Sequence, residues 1–521
     1  MAEGRGEAQR AQADVAQGGR GGTGCILLKE IFDEVVGFVE LDKLESELIV
    51  HPLVTRLGHI RQLGLAGSVF PGATHTRLSH SIGTMYYAGR IADALTSRTP
   101  SEIDDSDFRR KVRAAALLHD IGHPPLSHPI EHLLQDAYNS ESVSEIFKTT
   151  PESGGMSTHP TSLAIRALKP QGNPFDNSLV SAYLVGESPL APTIKDNGLD
   201  PSEISQIIAG QHPREFYNQI LDGGLDADKL DYLQRDRHAT GIAYGTFDVE
   251  HIIRNLAVEH DRLYVGEDAA QACLHFVLMR YFWHTQIIQN KNVSILERMA
   301  KIAYAAMAAE GIVPTPVDIL DILNGIKAED EKALEKWSQF TDDLFFTGMR
   351  LILSKIRNNE KLSYSEIPAD VMKDMIERIQ TGRPLTCAVR IDGVEVMHTG
   401  AQGRQYWNNQ HPRYTHYQSL LKWIDEHKSV DRNMSRIIVT HAKIDLIKPL
   451  EAEGPILIKT PYDSTPSPLQ NHYYSMILPM AAASEQLPIR FAVNRVYCVD
   501  VLTDELRKVW ADLVSESEGS P

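Results

Sequence analysis

Apolar residues between about 25 and 310 recur with the spacing of amphipathic helices. One stripe is formed by Leu78, Ile82, Met85, Ile91 and Leu95. Positions three to four apart share one helix face, so this stripe predicts a helix with a buried side. Arg113–Leu118 predicts a second apolar helix that ends at His119-Asp120, because Gly122 and Pro124-Pro125 follow. Ala227–Asp236 has helical spacing again.

The pattern changes after about 310. Helices are expected to continue to about 380, and a hairpin is predicted for Thr386–Ile391 and Val394–Met397, with Asp392-Gly393 as its turn. Further strands are predicted at Ile437–Val439, Ile456–Ile458 and Phe491–Val501. Residues 460–471 are predicted to form a turn-rich loop. The expected fold class is therefore mainly α, with a helical core at 25–310 and a mixed α+β lobe at 311–521. Regulation or oligomerisation is the expected role of this lobe, and a purely structural role stays open.

Residues 1–24 are rich in Gly, Ala, Gln and Arg, which is typical of a disordered tail. They include Gly19-x-Gly21-x-x-Gly24, which we interpret as a chance match to a dinucleotide motif because no strand precedes it. The net charge of the whole chain is −17. So acidic a chain disfavours nucleic acid or an anionic membrane as its main partner.

Composition also favours a reducing compartment. The four cysteines form no Cys-x-x-Cys pair, which argues against zinc fingers and thioredoxin-type sites. So few cysteines in 521 residues suit the cytoplasm. No run of 18 apolar residues and no apolar signal core occur in the sequence. A cytoplasmic protein without a membrane span is expected.

A series of His and Asp residues carries the candidate chemistry. The sequence contains no Gly-x-x-x-x-Gly-Lys-Ser/Thr, His-Glu-x-x-His or Gly-x-Ser-x-Gly motif. Two imidazoles and two carboxylates can converge on a divalent metal: His80, His119, Asp120 and Asp228. Such a site could activate water and polarise a phosphoryl group.

Each member of the series also has a structural interpretation. A single His on a helix face is usually part of the packing, and a His-Asp pair is often only hydrogen-bonded. Asp226 could merely cap the following helix. The combination of the set with Asp226-x-Asp228-Lys229 is what favours a functional site.

The order His…His-Asp…Asp resembles the HD superfamily of metal-dependent phosphohydrolases, and three segments resemble its deoxynucleoside triphosphate triphosphohydrolases. These segments are Phe70–Gly83 (FPGATHTRLSHSIG), Leu118–His128 (LHDIGHPPLSH) and Asp226–Asp236 (DADKLDYLQRD). Arg280-x-x-x-His284 and Gln289-x-Lys291 also keep the spacing found in that family. The resemblance covers about Ile31 to Met299 and is weak beyond 310.

The resemblance implies roles for individual residues. The metal ligands would be His80, His119, Asp120 and Asp228, and the metal would be Mg, Mn, Fe, Ni, Co or Zn. The catalytic set would contain Asp228, His123, His128 and His159, and either His128 or His159 would protonate the leaving 5′-oxygen. The residues that bind a dNTP substrate would be Gln62, Leu63, Arg77, His123, Lys229, Tyr232, Asp236, Arg280, His284 and Ile288. A homo-oligomer is also implied, and so is control of dNTP pools or antiviral defence.

This sequence departs from the family pattern at several positions. Asp33 matches one position of a guanine-specific activator site, but Thr55 and Gly58 replace the other two, so any nucleotide effector would differ. Ile288 stands where the family has a Tyr that rejects the ribose 2′-hydroxyl, and Pro160 follows His159 where relatives have Glu.

Two other functions remain open from the sequence. A phosphodiesterase or nuclease could use the same metal site. A nucleotide-sensing partner protein with secondary or lost hydrolysis would explain the altered positions and the large C-terminal lobe.

Overall fold

The computed structural model describes residues 29–139, 156–364, 367–399, 405–409, 414–427, 436–445, 455–469 and 489–518. The predicted tail at 1–24 and its glycine motif lie outside the described residues. Most described residues are helical, which confirms the mainly α class. No helix in these ranges is long and apolar enough to cross a membrane.

The helices extend over most of the described chain. The α-helices are α1 (Lys43–Ile49), α2 (Pro52–Thr55), α3 (Arg77–Arg98), α4 (Phe108–Leu118), α5 (His128–Asn139), α6 (Pro160–Leu168), α7 (Asn177–Glu187), α8 (Leu190–Asp196), α9 (Pro201–Ile208), α10 (Glu215–Leu221), α11 (Ala227–Thr240), α12 (Val249–Arg254), α13 (Ala270–Trp283), α14 (Lys291–Ala309), α15 (Pro316–Lys327), α16 (Glu331–Gln339), α17 (Asp342–Arg357), α18 (Ala369–Thr381), α19 (Tyr414–His427) and α20 (Asp500–Glu518). Short 3₁₀ turns span Arg56–His59, Gly64–Ser68, Met156–Thr158 and Glu267–Ala269, and a π-helical turn spans His284–Ile288.

The strands form three small sheets. They are β1 (Glu30–Asp33), β2 (Gly37–Glu40), β3 (Leu256–Glu259), β4 (Arg262–Gly266), β5 (Thr386–Thr399), β6 (Gln405–Asn409), β7 (Ile438–Asp445), β8 (Leu457–Lys459), β9 (Ser467–Pro468) and β10 (Ile489–Cys498). β1 and β2 form a hairpin, β3-β4-β8-β9 form the second sheet, and β6-β5-β10-β7 form the C-terminal sheet. In the second sheet β4 pairs with β8 in parallel, so chain segments from both sides of 310 share one sheet.

α3 lies at the centre of the helical core. Thr76 caps its N-terminus through a hydrogen bond from the amide of Ser79 to the Thr76 hydroxyl. The predicted stripe is largely buried, because Met85, Ile91 and Leu95 are fully inaccessible to solvent. α3 packs against α4 and α11. The candidate metal ligands lie on α3 and α11 and directly after the end of α4, so the packing of these three helices fixes the site.

The predicted hairpin at 386–397 is wrong. Thr386–Thr399 is one continuous strand, β5, and Asp392 and Gly393 lie within it opposite Val493 and Ala492 of β10. Asp-Gly favours a turn locally, but antiparallel pairing along β10 supplies a long ladder of backbone hydrogen bonds that a turn would break. The preference of two residues is therefore overridden by distant pairing.

Two other segments differ from the sequence-based expectation. The region 25–310 is not helical throughout, since it contains the short hairpins β1-β2 and β3-β4. The predicted strand Phe491–Val501 ends at Cys498, and Val501 belongs to α20, which begins at Asp500. The alternation of apolar residues continues through Val499 and Val501 although the backbone changes to a helix, so the pattern alone misplaces this boundary.

The C-terminal sheet is attached to the helical core beside the π-helical turn. Nη2 of Arg495 donates a hydrogen bond to the carbonyl of Gln289 at 2.8 Å. The hydroxyl of Tyr497 donates to the carbonyl of Lys291, also at 2.8 Å. Arg495 and Tyr497 are two apart on β10 and therefore share one face of the strand. Two hydrogen bonds thus fix this face of the sheet against the start of α14.

Candidate active site

Three helices bring the four predicted metal ligands together. His80 lies on the first turns of α3, and His119 and Asp120 directly follow the end of α4. Asp228 lies in the first turn of α11, whose N-cap is Asp226. The capping interpretation of Asp226 is correct, because its carboxylate accepts a hydrogen bond from the Lys229 amide at 2.7 Å. That cap sets where α11 begins and so places Asp228.

The donor atoms of these four residues converge. Nε2 of His80 lies 2.8 Å from Oδ1 of Asp228 and 3.9 Å from Oδ2 of Asp120. Nε2 of His119 lies 3.4 Å from Oδ1 of Asp120 and 3.6 Å from Oδ1 of Asp228. One ligand atom from each of His80, His119 and Asp120 lies within 4.8 Å of the others. This is the separation expected of groups that share one cation.

The residues present fit a divalent metal. Nε2 of His119 is buried and has no hydrogen-bond partner among the described residues. Burial lowers the pKa of His80, but hydrogen bonds and attraction from Asp228 and Asp231 outweigh burial and raise that pKa to about 10. Burial opposes ionisation of Asp120, yet Arg77 and the neighbouring histidines hold its pKa well below the usual range. The carboxylates therefore favour a cation between the four side chains. A set of two imidazoles and two carboxylates suits several divalent metals.

The outer nitrogen of each imidazole is also bound. Nδ1 of His80 lies 2.8 Å from Oδ2 of Asp231, and Nδ1 of His119 lies 2.7 Å from the carbonyl of Ala116. Both contacts suit an Nδ1–H donor, which leaves each Nε2 as a lone-pair donor toward the site. Asp231 is itself bound by Arg235, at 2.8 Å from Nε. Arg235 also binds Asp33 through both Nη atoms, so Asp33 is engaged in a buried ion pair.

Two of the predicted triphosphate-binding cations adjoin the metal ligands. Nη1 of Arg77 lies 2.6 Å from Oδ2 of Asp120, and Nε donates to the Ser127 hydroxyl at 2.7 Å. Nη2 of Arg77 is buried without a hydrogen-bond partner among the described residues. Nζ of Lys229 contacts Asp226 at 2.6 Å. Two cations are thus held near the ligand cluster.

His123 and His128 share one carboxylate. Nδ1 of His128 lies 3.0 Å from Oε2 of Glu131, and Nδ1 of His123 lies 3.7 Å from the same oxygen. Nε2 of His123 faces Asp120 at 3.3 Å. Burial, followed by repulsion from Arg77, lowers the pKa of His123 to about 4. His128 is 55% exposed at its side chain and therefore accessible to a bound substrate.

The predicted sugar-binding residues Gln62 and Asp236 both line the cavity. Oδ1 of Asp236 contacts Nε2 of His75 at 2.7 Å, and Oδ2 accepts a hydrogen bond from Nε1 of Trp283 at 2.7 Å. The rings of Tyr232 and Trp283 pack with centroids 4.6 Å apart. Oε1 of Gln62 is buried and has no partner among the described residues, so it can accept a hydrogen bond from a ligand.

A cavity of about 720 Å³ joins these parts. This volume is in the range of small-molecule sites. The predicted residues that line it are Gln62, Leu63, Arg77, His119, Asp120, His123, His128, Asp228, Lys229, Tyr232, Asp236 and Ile288. Four predicted residues are not part of this lining: His80, His159, Arg280 and His284.

Besides His80, three predicted residues lie outside the lining and have other surroundings. His159 caps α6 and contacts Asp321 at 3.0 Å through Nε2. Arg280 is on α13 and is close enough to Tyr232 to oppose the rise in pKa that burial imposes on that tyrosine. His284 begins the π-helical turn, and its ring stacks against Trp283 with centroids 6.1 Å apart. Of the two candidate proton donors, only His128 lines the cavity.

The sequence alone does not reveal several residues that shape the site. These are Ser127, Glu131, Asp231, Trp283 and Arg495. Asp231 carries a detectable signal, since it follows Asp228 by three positions and therefore shares its side of a helix. Arg495 is distant in sequence from the other site residues, and no motif around it indicates a place in the site.

The candidate site lies within a segment that matches a known protein-family model. Residues 77–236 match the HD domain, and this range begins at Arg77 and ends at Asp236. The chain contains an HD domain. The matched range includes His80, His119, Asp120 and Asp228, and it excludes the C-terminal sheet.

Several curated proteins are similar to this chain. The uncharacterized protein YwfO of Bacillus subtilis is 29% identical over 302 residues, which are 57% of this chain and 60% of that protein. The deoxynucleoside triphosphate triphosphohydrolase SAMHD1 of Xenopus laevis is 32% identical over 243 residues, or 44% of this chain and 37% of that protein. Human SAMHD1 is 29% identical over 293 residues, or 53% of this chain and 44% of that protein. The similarity thus spans about half the length of these relatives.

Solved structures share the fold over most of the chain. A phosphohydrolase from Bacteroides thetaiotaomicron has a TM-score of 0.59 at 22% identity, covering 90% of this chain and 99% of that one. A hypothetical protein from Aquifex aeolicus has a TM-score of 0.53 at 19% identity, covering 92% and 99%. At these identities the likeness concerns the fold.

Proposed function

We propose that this protein is a metal-dependent phosphohydrolase that converts deoxynucleoside triphosphates to deoxynucleosides and inorganic triphosphate. The observation that carries the proposal is the convergence of His80, His119, Asp120 and Asp228 at the wall of a cavity with buried cations beside it. The partial similarity to SAMHD1, named as a deoxynucleoside triphosphate triphosphohydrolase, supports this substrate class.

The charges of the site suit a triphosphate. Arg77 presents a guanidinium paired with Asp120, and Lys229 presents an ammonium group directly after Asp228; both residues line the cavity. Arg77 can use its unpartnered Nη2 for a phosphoryl oxygen without losing its bonds to Asp120 and Ser127. A planar guanidinium and a point-charge ammonium are the usual protein ligands for phosphoryl oxygens. The triphosphate would therefore lie across the metal ligands.

A divalent metal held by the two His and two Asp side chains would lower the pKa of water and polarise the α-phosphoryl group. The protein side chains fix the geometry of the remaining steps. Water attacks the α-phosphorus, and the bond between that phosphorus and the 5′-oxygen breaks. His128 donates the proton that the 5′-oxygen acquires, since it lines the cavity and Glu131 orients its ring. Triphosphate and a deoxynucleoside are the products.

Selection of deoxyribose is assigned to other residues that line the cavity. Gln62 and Asp236 can bind the 3′-hydroxyl, and Trp283 fixes the Asp236 carboxylate. Ile288 supplies an apolar surface where a 2′-hydroxyl would lose its hydrogen bonds to water. We propose that this apolar contact disfavours ribonucleotides. In the cell such an activity would control dNTP pools or deplete them during infection, and the proposed assembly is a homo-oligomer in the cytoplasm.

Turnover and product analysis test the proposal. Purified protein is incubated with each dNTP and NTP in Mg²⁺ or Mn²⁺, and products are separated by ion-exchange chromatography. Equal amounts of deoxynucleoside and triphosphate are expected. Asp120→Ala should abolish turnover, whereas Asp93→Ala, at an exposed aspartate paired with Arg109, should not. Full turnover by Asp120→Ala, or release of orthophosphate instead of triphosphate, would reject the proposal.

A further inference from the structure

One wall of the active-site cavity comes from the C-terminal sheet, outside the HD domain. Val439, Thr440 and Arg495 line the cavity together with Ile287, Ile288 and Gln289 of the core. Arg495 lies opposite Thr440 in the β10-β7 register, so their side chains share one face of the sheet. The sheet therefore contributes a polar surface to the site where the proposed substrate binds.

Arg495 is held in place but retains unused bonding capacity. Its side chain is buried, with the residue only 4% exposed. Nη2 is anchored on the carbonyl of Gln289 at 2.8 Å. Nε is buried and has no hydrogen-bond partner among the described residues. A buried guanidinium N–H without a partner is costly unless a ligand supplies the acceptor.

The position of Arg495 within the cavity indicates which part of a nucleotide it would meet. Tyr232 and Trp283 lie beside the proposed sugar-binding residue Asp236, and the π-helical turn leads from Trp283 to Gln289. Arg495 is bound to the far end of that turn, beyond Ile287 and Ile288. Arg77 and Lys229, near the proposed metal ligands, are already assigned to the triphosphate. The part of a nucleotide that extends past the sugar is the base.

We infer that Arg495 reads the nucleobase of the substrate and favours guanine, an inference that rests on the proposed function. A guanidinium presents parallel N–H groups, and guanine offers two adjacent acceptors, O6 and N7, on one edge. Adenine offers one acceptor and one donor on the same edge, and the donor would face the guanidinium N–H. Thr440, whose hydroxyl can donate or accept, lies beside Arg495 and adds no discrimination of its own.

Base analogues test this inference in the unmodified protein. The ratio kcat/KM is measured for dGTP, dATP, dCTP, dTTP, dITP and 7-deaza-dGTP with the same divalent metal. dGTP should exceed dATP by about tenfold to a hundredfold, the discrimination typical of a bidentate arginine contact. dITP keeps O6 and N7 and should resemble dGTP, whereas 7-deaza-dGTP lacks N7 and should lose much of the advantage. Equal values for dGTP, dATP and 7-deaza-dGTP would overturn the inference.

A conservative variant assigns the effect to Arg495. Arg495→Lys keeps the charge but loses the parallel donors, so the preference for dGTP over dATP should fall to about twofold or less while dATP turnover persists. The matched control is Arg390→Lys, because Arg390 faces Arg495 on the neighbouring strand but is exposed and does not line the cavity. If Arg495→Lys ranks the bases as the unmodified protein does, this inference is overturned while the proposed function stands. Absence of turnover of every dNTP by the unmodified protein would reject the proposed function, and the base subsite with it.

Discussion

Oδ2 of Asp231 lies 2.8 Å from Nδ1 of His80, on the side of the imidazole opposite the metal ligands. This contact fixes the ring and leaves Nε2 facing Asp228 at 2.8 Å. Asp231 is completely buried and is bound in turn by Arg235. The candidate metal site therefore depends on a carboxylate that is not among its proposed ligands.

We expect Asp231→Asn to weaken metal binding by about ten- to a hundredfold, the usual cost of losing a carboxylate behind a ligating histidine. Calorimetric titration of the metal-free protein with Mn²⁺ measures this change in affinity. The exposed Asp93 provides a matched control as Asp93→Asn. Equal Mn²⁺ affinity for Asp231→Asn and the unmodified protein would show that Asp231 does not orient His80.

The contact between α3 and α11 at Gly83 leaves no room for a side chain. A Cβ at Gly83 would overlap Oδ1 of Asp231 and Nη2 of Arg235, both of which are held in a buried ion pair. Gly83→Ala should therefore lower the free energy of unfolding by about 1–3 kcal/mol, which chemical denaturation measures. Gly186→Ala in α7 is the control, because its nearest contact is an ordinary 3.8 Å and alanine favours helix. Similar stability of the two variants would contradict this packing.

The Asp342 carboxylate holds the loop between His123 and His128. Its Oδ1 accepts the amide of Leu126 at 2.7 Å, and its Oδ2 accepts the amide of Arg61 at 3.0 Å. Leu126 and Ser127 have left-handed backbones, with φ of 57° and 62°, a conformation that needs such support. Ser127 in turn accepts a hydrogen bond from Arg77.

Asp342→Asn places an amide group against one of those backbone N–H donors. We expect kcat to fall at least tenfold because Ser127 and Arg77 shift, and stability to fall by about 1–3 kcal/mol from the lost hydrogen bond. Asp343→Asn is the control, since the side chain of Asp343 is 82% exposed. A variant that loses stability but keeps kcat would show that the loop is braced by other contacts.

His51 should make the fold sensitive to acid. Its Nδ1 accepts the amide of Leu53 as the N-cap of α2, and burial lowers its pKa from 6.5 to about 4. The unfolded chain therefore binds more protons between pH 6.5 and 4, so this group destabilises the fold as pH falls through that window, by at most about 1.4 kcal/mol per pH unit.

An asparagine side chain at this position would keep a capping acceptor without titrating. The variant His51→Asn should consequently lose less stability than the unmodified protein between pH 7 and pH 5, as measured by urea denaturation at both values. The same loss in both proteins would show that His51 does not contribute to the acid sensitivity.

The sequence predicted those parts of the fold that depend on local patterns of residues. The apolar stripe from Leu78 to Leu95 predicted α3, and the breaks after Leu118 predicted the end of α4. The four proposed metal ligands lie near helix ends, and capping residues or glycine and proline breaks locate these ends in the sequence. Their convergence follows from the packing of α3, α4 and α11, which the periodicity of each helix implies only in part.

Long-range pairing was not accessible in the same way. Asp392-Gly393 has a strong local preference for a turn, and only pairing with β10, about 100 residues later, explains the continuous strand. The same holds for Arg495, whose place in the cavity depends on the docking of the C-terminal sheet at Gln289. Signals confined to neighbouring residues cannot predict either feature.

Product analysis in ¹⁸O-labelled water tests the central claim most directly. The unmodified protein and Asp120→Ala are incubated with a dNTP and a divalent metal, and the products are analysed by mass spectrometry. Attack of water on the α-phosphorus predicts one ¹⁸O atom in inorganic triphosphate and none in the deoxynucleoside, with no reaction in the variant. Label in orthophosphate or pyrophosphate, or equal turnover by Asp120→Ala, would contradict the proposed reaction at this metal site.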